Sequence, residues 1–232
     1  MEKSSIRCIF FLLFVSAAAV SRMNAASSGG EVEDEHEFDY EKNGAKGPKN
    51  WGKLKPEWKL CGEGKMQSPI DLFHDRVRLV SNTGMLNEDY HPSNAVLKNR
   101  GHDMMLKFEH GAGSIEINDM QYELGQLHWH SPSEHTINGK RFALELHMVH
   151  ESKNGSLAVV TVLYKIGRPD GFLGSLEKEL RAVSDEHEGE NNIGVIDARK
   201  VKLVSRKYYQ YIGSLTTPPC TQNVLWTVLR KV

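Results

Sequence analysis

The sequence predicts a predominantly β fold in a single domain, built on one large, mostly antiparallel, twisted sheet with a few short helices at its periphery. From about residue 95 onward, short segments rich in β-branched and aromatic residues follow one another. Gly, Asn or Asp lies in most gaps between these segments, as is typical of strands joined by turns. Only one segment has apolar residues at helical spacing, so we expect few helices.

The N-terminus has the features of a secretory signal peptide. Lys3 and Arg7 precede an apolar run at residues 8–20, and small residues follow. The run is shorter than the roughly 20 apolar residues that a membrane span requires, so we expect no span in the mature chain. We assign the signal peptide to residues 1–26, with cleavage at a position between 19 and 28, which N-terminal sequencing of the mature protein would test.

The segment after the signal peptide is acidic. Residues 27–37 are predicted to form a flexible arm, because the run from Glu31 to Asp39 has many charges and few apolar side chains. The domain proper is assigned to residues 38–232. Its first part, to about Leu72, is rich in Gly, Pro, Lys and Trp without clear periodicity, so we expect irregular structure held in place by two tryptophans, Trp51 and Trp58.

The remaining elements follow from periodicity. Nine strands are predicted, at residues 95–98, 103–109, 114–117, 121–122, 126–130, 142–150, 157–166, 208–211 and 224–228. The one helix is predicted at residues 171–183, where the apolar residues at helical spacing are Phe172, Leu173, Leu176, Leu180 and Val183. We expect this apolar stripe to pack against the sheet.

Charge and cysteine content narrow the class of protein. The chain has 29 basic and 30 acidic residues, so it has no electrostatic bias towards nucleic acid or a membrane surface. Of three cysteines, Cys8 lies in the signal peptide, and the remaining pair, Cys61 and Cys220, predicts a disulfide in the oxidising secretory pathway. Asn154-Gly-Ser, on a predicted hairpin turn, is a predicted glycosylation site.

Three histidines on two predicted strands form a candidate metal site. His128 and His130 are two residues apart, so in a strand both imidazoles point to one face. The segment 142–150 alternates in the same way and contributes His147, and the intervening Pro and Asn-Gly favour a chain reversal that makes the strands antiparallel neighbours. Three neutral imidazoles suit zinc, and three ligands rather than four leave an open position for water, as in a catalytic site.

Two polar residues lie where partners of metal-bound histidines belong. Gln126 is on the face of His128 and Glu145 on that of His147, and such groups usually accept the second N–H of the ring. A single His-x-His would be interpreted as a pair of ordinary sheet histidines. Its combination with Ser133-Glu-His, and with Glu145-Leu-His-Met-Val-His on the next strand, is far more specific and favours the metal site.

These motifs resemble the α-carbonic anhydrase family, and the short loop after His130 resembles its plant and bacterial members. The same resemblance is present near the N-terminus, in Asp39-Tyr-Glu, Gly47-Pro-Lys-Asn-Trp-Gly and Cys61-Gly-Glu-Gly-Lys-Met-Gln-Ser-Pro-Ile-Asp-Leu. It extends from about Asp39 to Val232. It implies the fold of that family and a zinc-dependent, reversible hydration of carbon dioxide to bicarbonate and a proton, by attack of zinc-bound hydroxide.

The resemblance also implies roles for four polar residues. Thr216, in Gly213-Ser-Leu-Thr-Thr-Pro-Pro-Cys, would accept a hydrogen bond from the hydroxide and donate its own proton to Glu134, and Thr217 would lie beside the substrate. His102 would collect the released proton through water and pass it to buffer, since a free imidazole titrates at about pH 6.5.

An apolar wall for carbon dioxide is expected beside the zinc. Val149 shares the face of His147, and Val159 lies in the apolar run at residues 157–163. By resemblance, the wall is completed by Leu215, Val224 and Trp226. Periodicity alone would interpret all five as core residues. His135 and His150 match family positions with structural roles, so we expect them to be hydrogen-bonded rather than to bind metal.

The end of the chain differs from the family pattern. Family members continue for some tens of residues beyond Val232, so we expect the domain to lack a C-terminal segment and to leave a sheet edge unpaired. Three functions stay open: an active zinc lyase, a non-enzymatic storage or binding protein on the same fold, and a truncated product without activity. The expected location is the secretory pathway, leading to the extracellular space or cell wall or, in a plant, to the chloroplast.

Overall fold

The computed structural model describes residues 30–31, 36–73, 78–81, 87–184, 189–203 and 207–230. The predicted signal peptide and its cleavage site lie outside these residues, as does most of the predicted acidic arm. Within the described part of the chain, no helix is both long enough and apolar enough to cross a membrane.

One large sheet of eleven strands dominates the structure. The strands of the described residues are β1 Arg78–Ser81, β2 Asn87–Tyr90, β3 Pro92–Asn99, β4 Met104–Phe108, β5 Gly113–Ile117, β6 Met120–His130, β7 Thr136–Ile137, β8 Lys140–Arg141, β9 Leu144–Ser152, β10 Leu157–Tyr164, β11 Glu190–Asp197, β12 Lys207–Ser214 and β13 Gln222–Arg230. The large sheet has the order β1-β12-β13-β10-β9-β6-β4-β3-β11, with β5 paired to β6 and β2, while β7 and β8 pair separately.

All neighbouring strands in the large sheet are antiparallel except β10 and β13, which are parallel. The helices are few and short: α1 Trp51–Leu54, α2 Leu60–Glu63, α3 Gly171–Ser175 and α4 Glu177–Ser184, with 3-10 turns at Pro56–Trp58 and Ala198–Lys200. The predicted fold class is therefore confirmed. The helix predicted at 171–183 is interrupted at Leu176, just after Gly174 and Ser175, which are weaker helix formers than Ala or Leu.

Alternation along β6 and β9 separates the two faces of the sheet. On one face lies the main hydrophobic core, which includes Leu127, Trp129, Leu146 and Met148 together with Phe172, Leu176 and Val183 from the helical segment. The predicted packing of this segment against the sheet is thus confirmed. The opposite face carries the three histidines, because in a strand successive side chains point to opposite sides.

A β-bulge sets the register between the two histidine-bearing strands. β6 runs without a break through Gly125, where two separate strands had been predicted. Its pairing with β9 shifts by one residue between Leu124 and Gln126. As a result, His128 lies directly opposite His147 across the strand pair.

The N-terminal segment covers the histidine-bearing side of the molecule. Phe38, Trp51 and Trp58 are buried together in a separate apolar cluster that also includes Cys220. The two tryptophans are buried as predicted, but the expectation of irregular structure is wrong in part, since α1, α2 and a 3-10 turn lie here. A disulfide joins Cys61 of α2 to Cys220, as predicted.

The unpaired sheet edge expected near the end of the chain stays a prediction; β12 pairs with β1 on one side and β13 on the other, and the described outer strands are β1 and β11. A further expectation is wrong. The solvated acidic run does not extend to Glu31, which is only 7% exposed. Its carboxylate is buried because Arg100 and Gln126 donate hydrogen bonds to it.

Candidate metal centre and cavity

The three histidines predicted to bind metal converge on one face of β6 and β9. Their rings are buried, and their centroids lie 4.8–4.9 Å apart. One nitrogen of each ring lies within 4.8 Å of the others, so His128, His130 and His147 together could hold a single metal ion. The strand geometry that predicted their convergence is thus the geometry observed.

In His128 and His147, a hydrogen bond to one ring nitrogen determines which nitrogen faces the candidate metal site. Nδ1 of His128 donates to Oε1 of Gln126 at 2.9 Å, and Nε2 of His147 donates to Oε1 of Glu145 at 2.6 Å. Carbonyl and carboxylate oxygens only accept, so in neutral rings the remaining nitrogens carry no proton. Those two nitrogens, Nε2 of His128 and Nδ1 of His147, are only 3.0 Å apart.

Two lone pairs that face each other at this distance inside a protein are unfavourable unless a cation lies between them. His130 adds a third nitrogen, since its Nε2 is buried and lacks a hydrogen-bond partner among the described residues. Burial lowers the pKa of His128 well below its ordinary value, which keeps that ring neutral. The donor set of three imidazoles therefore fits a zinc ion with one position left open.

A buried network holds Glu145 in place behind His147. Its Oε1 also accepts from Nδ1 of His135 at 2.6 Å, and Tyr211 donates its hydroxyl proton to Nε2 of His135 at 2.6 Å. Burial by itself raises the pKa of Glu145, but His135 and His147 outweigh it, and the pKa lies well below its ordinary value. His135, Glu145 and His147 could also hold a metal by distance alone. Their mutual hydrogen bonds satisfy them without one.

Next to the histidines lies a cavity of about 810 Å³. Four of the residues predicted for the site line it, namely His102, His130, Glu134 and Thr216. The N-terminal segment contributes Phe38, Tyr40 and Trp51 to the opposite wall. Tyr40 and Trp51 had a sequence signal, in Asp39-Tyr-Glu and Gly47-Pro-Lys-Asn-Trp-Gly, whereas Phe38 had none.

The five apolar residues predicted for the wall are brought together. Val149, Val159, Leu215, Val224 and Trp226 form one buried cluster with Leu157, separate from the main core. The ring of Trp226 lies 4.9 Å from that of His147, which places this cluster beside the metal ligands. Sequence reasoning could not separate these residues from ordinary core; they lie in a buried cluster of their own, and their role as a wall for the substrate stays a prediction.

The predicted hydroxyl relay is only partly assembled. Thr216 is 6% exposed and lines the same cavity as Glu134, but among the described residues Oε2 of Glu134 has no hydrogen-bond partner. Thr216 therefore makes no hydrogen bond to this oxygen. That oxygen lies 3.5 Å from Nε2 of His130 instead. Thr217 is buried as well, and within the described chain its hydroxyl also lacks a partner.

His102 lies deeper than a surface histidine. Its ring is 5.1 Å from that of Phe38 and 6.0 Å from that of Tyr40, and only 6% of its side chain is exposed. Neither ring nitrogen has a hydrogen-bond partner among the described residues. Burial lowers the pKa of His102 below its ordinary value, although the carboxylate of Asp103, 3.7 Å from Nε2, acts in the opposite direction.

Sequence reasoning missed an ion-pair cluster beside the site. The guanidinium of Arg100 binds Asp103 through two hydrogen bonds of 2.7 and 2.5 Å and Glu31 through one of 3.1 Å. Arg100 and Asp103 are three residues apart on either side of His102, so their spacing could have indicated a pair. Nothing in the sequence near Glu31 marks it as their partner.

Two other predicted features lie away from the cavity. Asn154 is exposed in the turn between β9 and β10, where its Oδ1 accepts from the backbone N–H of Ser156. His150 is buried on β9, and Tyr90 donates its hydroxyl proton to Nε2 of His150 at 2.8 Å. His150 is thus hydrogen-bonded rather than close to the candidate metal site.

Comparison with known proteins agrees with this geometry. The family model for eukaryotic-type carbonic anhydrase matches residues 46–232. Alpha carbonic anhydrase 7 of Arabidopsis thaliana is 68% identical over 230 residues, which cover 99% of this chain and 84% of that relative.

Two solved structures are also similar. Dioscorin complexed with ascorbate is 46% identical, with a TM-score of 0.79 over 84% of this chain and 82% of that one. A hyperthermostable carbonic anhydrase identified from an active hydrothermal vent chimney is 35% identical, with a TM-score of 0.73 over 83% and 82% of the two chains. The chain described here therefore belongs to the eukaryotic-type, or alpha, carbonic anhydrase family.

Proposed function

We propose that this chain is an active, zinc-dependent carbonic anhydrase that interconverts carbon dioxide and bicarbonate. The observation that carries the proposal is the pair of buried ring nitrogens of His128 and His147 that face each other at 3.0 Å, beside Nε2 of His130, which has no hydrogen-bond partner among the described residues. Such a cluster calls for a cation. The three histidines would hold zinc, and zinc supplies Lewis acidity that lets a bound water ionise near neutral pH, as is established for carbonic anhydrases.

The chain's own residues then have distinct tasks. The cluster of Val149, Leu215 and Trp226 gives an apolar wall that excludes water and suits a small, uncharged, linear substrate. Thr216 would accept a hydrogen bond from the attacking water and so orient its lone pair towards carbon, provided that its own proton goes to Glu134. Oε2 of Glu134 supports this, because it is an acceptor in the same cavity that has no hydrogen-bond partner in the described part of the chain.

Removal of the proton is assigned to His102. It lies on the cavity wall, so a chain of water molecules can connect it to the site. A pKa below the ordinary imidazole value favours release of the proton to buffer at neutral pH.

A second candidate function is binding without catalysis. The cavity of about 810 Å³ is much larger than carbon dioxide, and a similar solved structure is that of dioscorin complexed with ascorbate. This candidate would give ascorbate binding that does not depend on zinc and no hydration of carbon dioxide.

The test is stopped-flow hydration of carbon dioxide by the purified mature protein, with zinc measured on the same sample. We expect about one zinc per chain, and activity that is abolished by a sulfonamide and by His147→Ala. His110→Ala, at an exposed turn, is the matched control and should retain activity. Bound zinc with no activity would contradict the proposed enzymatic function and favour binding without catalysis. Failure to fold or to bind zinc would favour a product without activity.

We also propose that the protein enters the secretory pathway and is glycosylated at Asn154. The exposed turn supports access of the glycosylation machinery to Asn154, and the disulfide between Cys61 and Cys220 agrees with an oxidising compartment. Expression in plant cells followed by glycosidase treatment should shift the wild-type protein on a gel and leave Asn154→Gln unshifted. An equal mobility of both before treatment would count against the site.

A further inference from the structure

A continuous buried network connects the N-terminal segment to a metal ligand. Oε2 of Glu31 accepts from Nε2 of Gln126 at 3.0 Å and from Nη1 of Arg100 at 3.1 Å. Oε1 of Gln126 in turn accepts from Nδ1 of His128 at 2.9 Å. Glu31 is 95 positions from Gln126 in sequence, and all of these side chains are nearly inaccessible to solvent.

The direction of each hydrogen bond in this network matters for the metal site. The amide of Gln126 has an accepting end and a donating end, and rotation by half a turn exchanges them. A carboxylate can only accept, so Glu31 requires the NH₂ end and leaves the carbonyl end for His128. His128 must then donate from Nδ1, and its Nε2 keeps the lone pair that a metal needs.

Arg100 keeps Glu31 ionised and in place, so that Glu31 can accept a hydrogen bond from the amide of Gln126. Burial by itself raises the pKa of Glu31, but Arg100 and Gln126 outweigh it, so the pKa is lowered and the group stays a carboxylate. Arg100 is itself anchored by the two hydrogen bonds to Asp103. The position of Glu31 is therefore determined by groups other than Gln126, and it can orient the amide rather than follow it.

We propose that Glu31 is a positioning residue for the metal centre. By fixing the amide of Gln126, it holds His128 in the Nδ1–H tautomer that presents Nε2 to zinc. The proposal rests on the proposed function, in which His128 binds zinc. It extends the zinc site into a segment that precedes the region matched by the family model, which begins at residue 46.

The test uses two readouts that do not depend on activity. The first is the ¹⁵N chemical shifts of the histidine rings in zinc-free protein at pH 8, which distinguish the two neutral tautomers. The second is the Kd for zinc by chelator competition. Glu31→Ala should mix the tautomers of His128 and weaken zinc binding about 10- to 100-fold, the usual effect of losing a partner of a metal ligand.

Glu31→Gln is the conservative variant. Its oxygen can still accept from Gln126, but its NH₂ no longer excludes the rotated amide, so we expect a smaller weakening than in Glu31→Ala. Glu37→Ala is the matched control, because it removes a carboxylate from the same segment whose partner is Lys55, and it should leave both readouts unchanged. Glu31→Gln retains the size of the side chain, so it decides the matter even if Glu31→Ala does not fold.

Wild-type tautomer and zinc affinity in the Glu31 variants would overturn the proposal. Wild-type protein that binds no zinc would instead refute the proposed function, while the tautomer measurement would still report on Glu31. A loss of zinc affinity with an unchanged tautomer would also overturn the proposal, since the effect would then be one of charge rather than of orientation.

Discussion

His102 is the residue proposed to carry the proton away from the site. Its ring packs against those of Phe38 and Tyr40 on the cavity wall, with both nitrogens unpartnered among the described residues. If it accepts the proton, His102→Ala should slow hydration of carbon dioxide about tenfold or more in weak buffer, with recovery on addition of imidazole. His110→Ala serves as control. If stopped-flow rates did not depend on buffer concentration in either His102→Ala or His110→Ala, the result would argue against proton transfer by His102.

His150 makes the stability of the fold depend on pH. Burial lowers its pKa to about 4, although the carbonyl of Ala158 favours the charged form. As the pH falls, His150 therefore takes up a proton in the unfolded chain before it does so in the folded one. Its contribution to the free energy of unfolding is complete above about pH 6.5 and is lost between about pH 6.5 and 4. The total effect is about 3 kcal/mol, from a pKa difference of about 2.5.

The measurement for His150 is urea unfolding between pH 7 and 4. His150→Leu should be less stable than wild type at pH 7, because Tyr90 loses its acceptor. The free energy of unfolding of the wild type should fall by about 3 kcal/mol more than that of the variant as the pH falls to 4. Parallel pH profiles would show that His150 does not titrate in this range.

At the scale of residues, the centre of the site could be predicted and its surroundings could not. His128, His130 and His147, with their partners Gln126 and Glu145, follow from the two-residue repeat of strands, which needs only local sequence. Glu31 and Arg100 meet from positions 69 apart, so no local pattern marks them. The relay from Thr216 to Glu134 was expected from family resemblance, and Oε2 of Glu134 has no hydrogen-bond partner among the described residues.

At the scale of elements, the contact between β2 and β5 depends on one glycine. Gly113 has φ +91°, and a Cβ there would overlap the carbonyl of Asp89 and Cα of Tyr90. Gly113→Ala should therefore lower the free energy of unfolding by about 2–4 kcal/mol, through backbone strain and steric overlap together. Tyr90, the partner of His150, ends the strand that would be displaced.

Gly194→Ala is the control for this substitution. Its φ is +73°, but no atom lies within 4 Å of the added Cβ, so only the strain of about 1–2 kcal/mol is expected. Denaturant unfolding of both variants measures the difference. Equal losses would mean that β2 and β5 separate easily to accommodate the methyl group.

Elements that are buried and regular could be predicted, and those at the margins could not. β9 alternates apolar and polar residues in its first half and β10 is an almost continuous apolar run, so the sequence of each indicates a strand. β11 is an outer strand, with the polar sequence Glu-Asn-Asn at its start and a bulge between Asn192 and Gly194, and it lacks alternation. Likewise β2 is mostly polar, and only its pairing with β5 makes it a strand.

At the scale of the whole molecule, the disulfide connects the N-terminal segment to the loop of Thr216 and Thr217. Cys61 and Cys220 are 159 positions apart, so the bond closes most of the chain into one loop. Replacement of both by Ser should lower the free energy of unfolding by about 2–5 kcal/mol. Thermal unfolding with and without dithiothreitol tests this. The reductant should lower the Tm of the wild type and not that of the double variant, and equal sensitivity would contradict the prediction.

The parallel pairing of β10 with β13 predicts that the strands of the described sheet pair in a definite order during refolding. His128 and His147 are 19 positions apart on antiparallel neighbours, whereas β10 pairs with residues of β13 more than sixty positions away. Because closing the longer loop costs more entropy and slows pairing, we expect amides of β6 and β9 to become protected before those of β13. Pulse-labelled hydrogen exchange measures this, and simultaneous protection would contradict it. On the proposed function, a newly made chain would bind zinc between β6 and β9 before Val224 and Trp226 of β13 complete the apolar cluster beside it, so that metal binding would precede formation of the substrate wall.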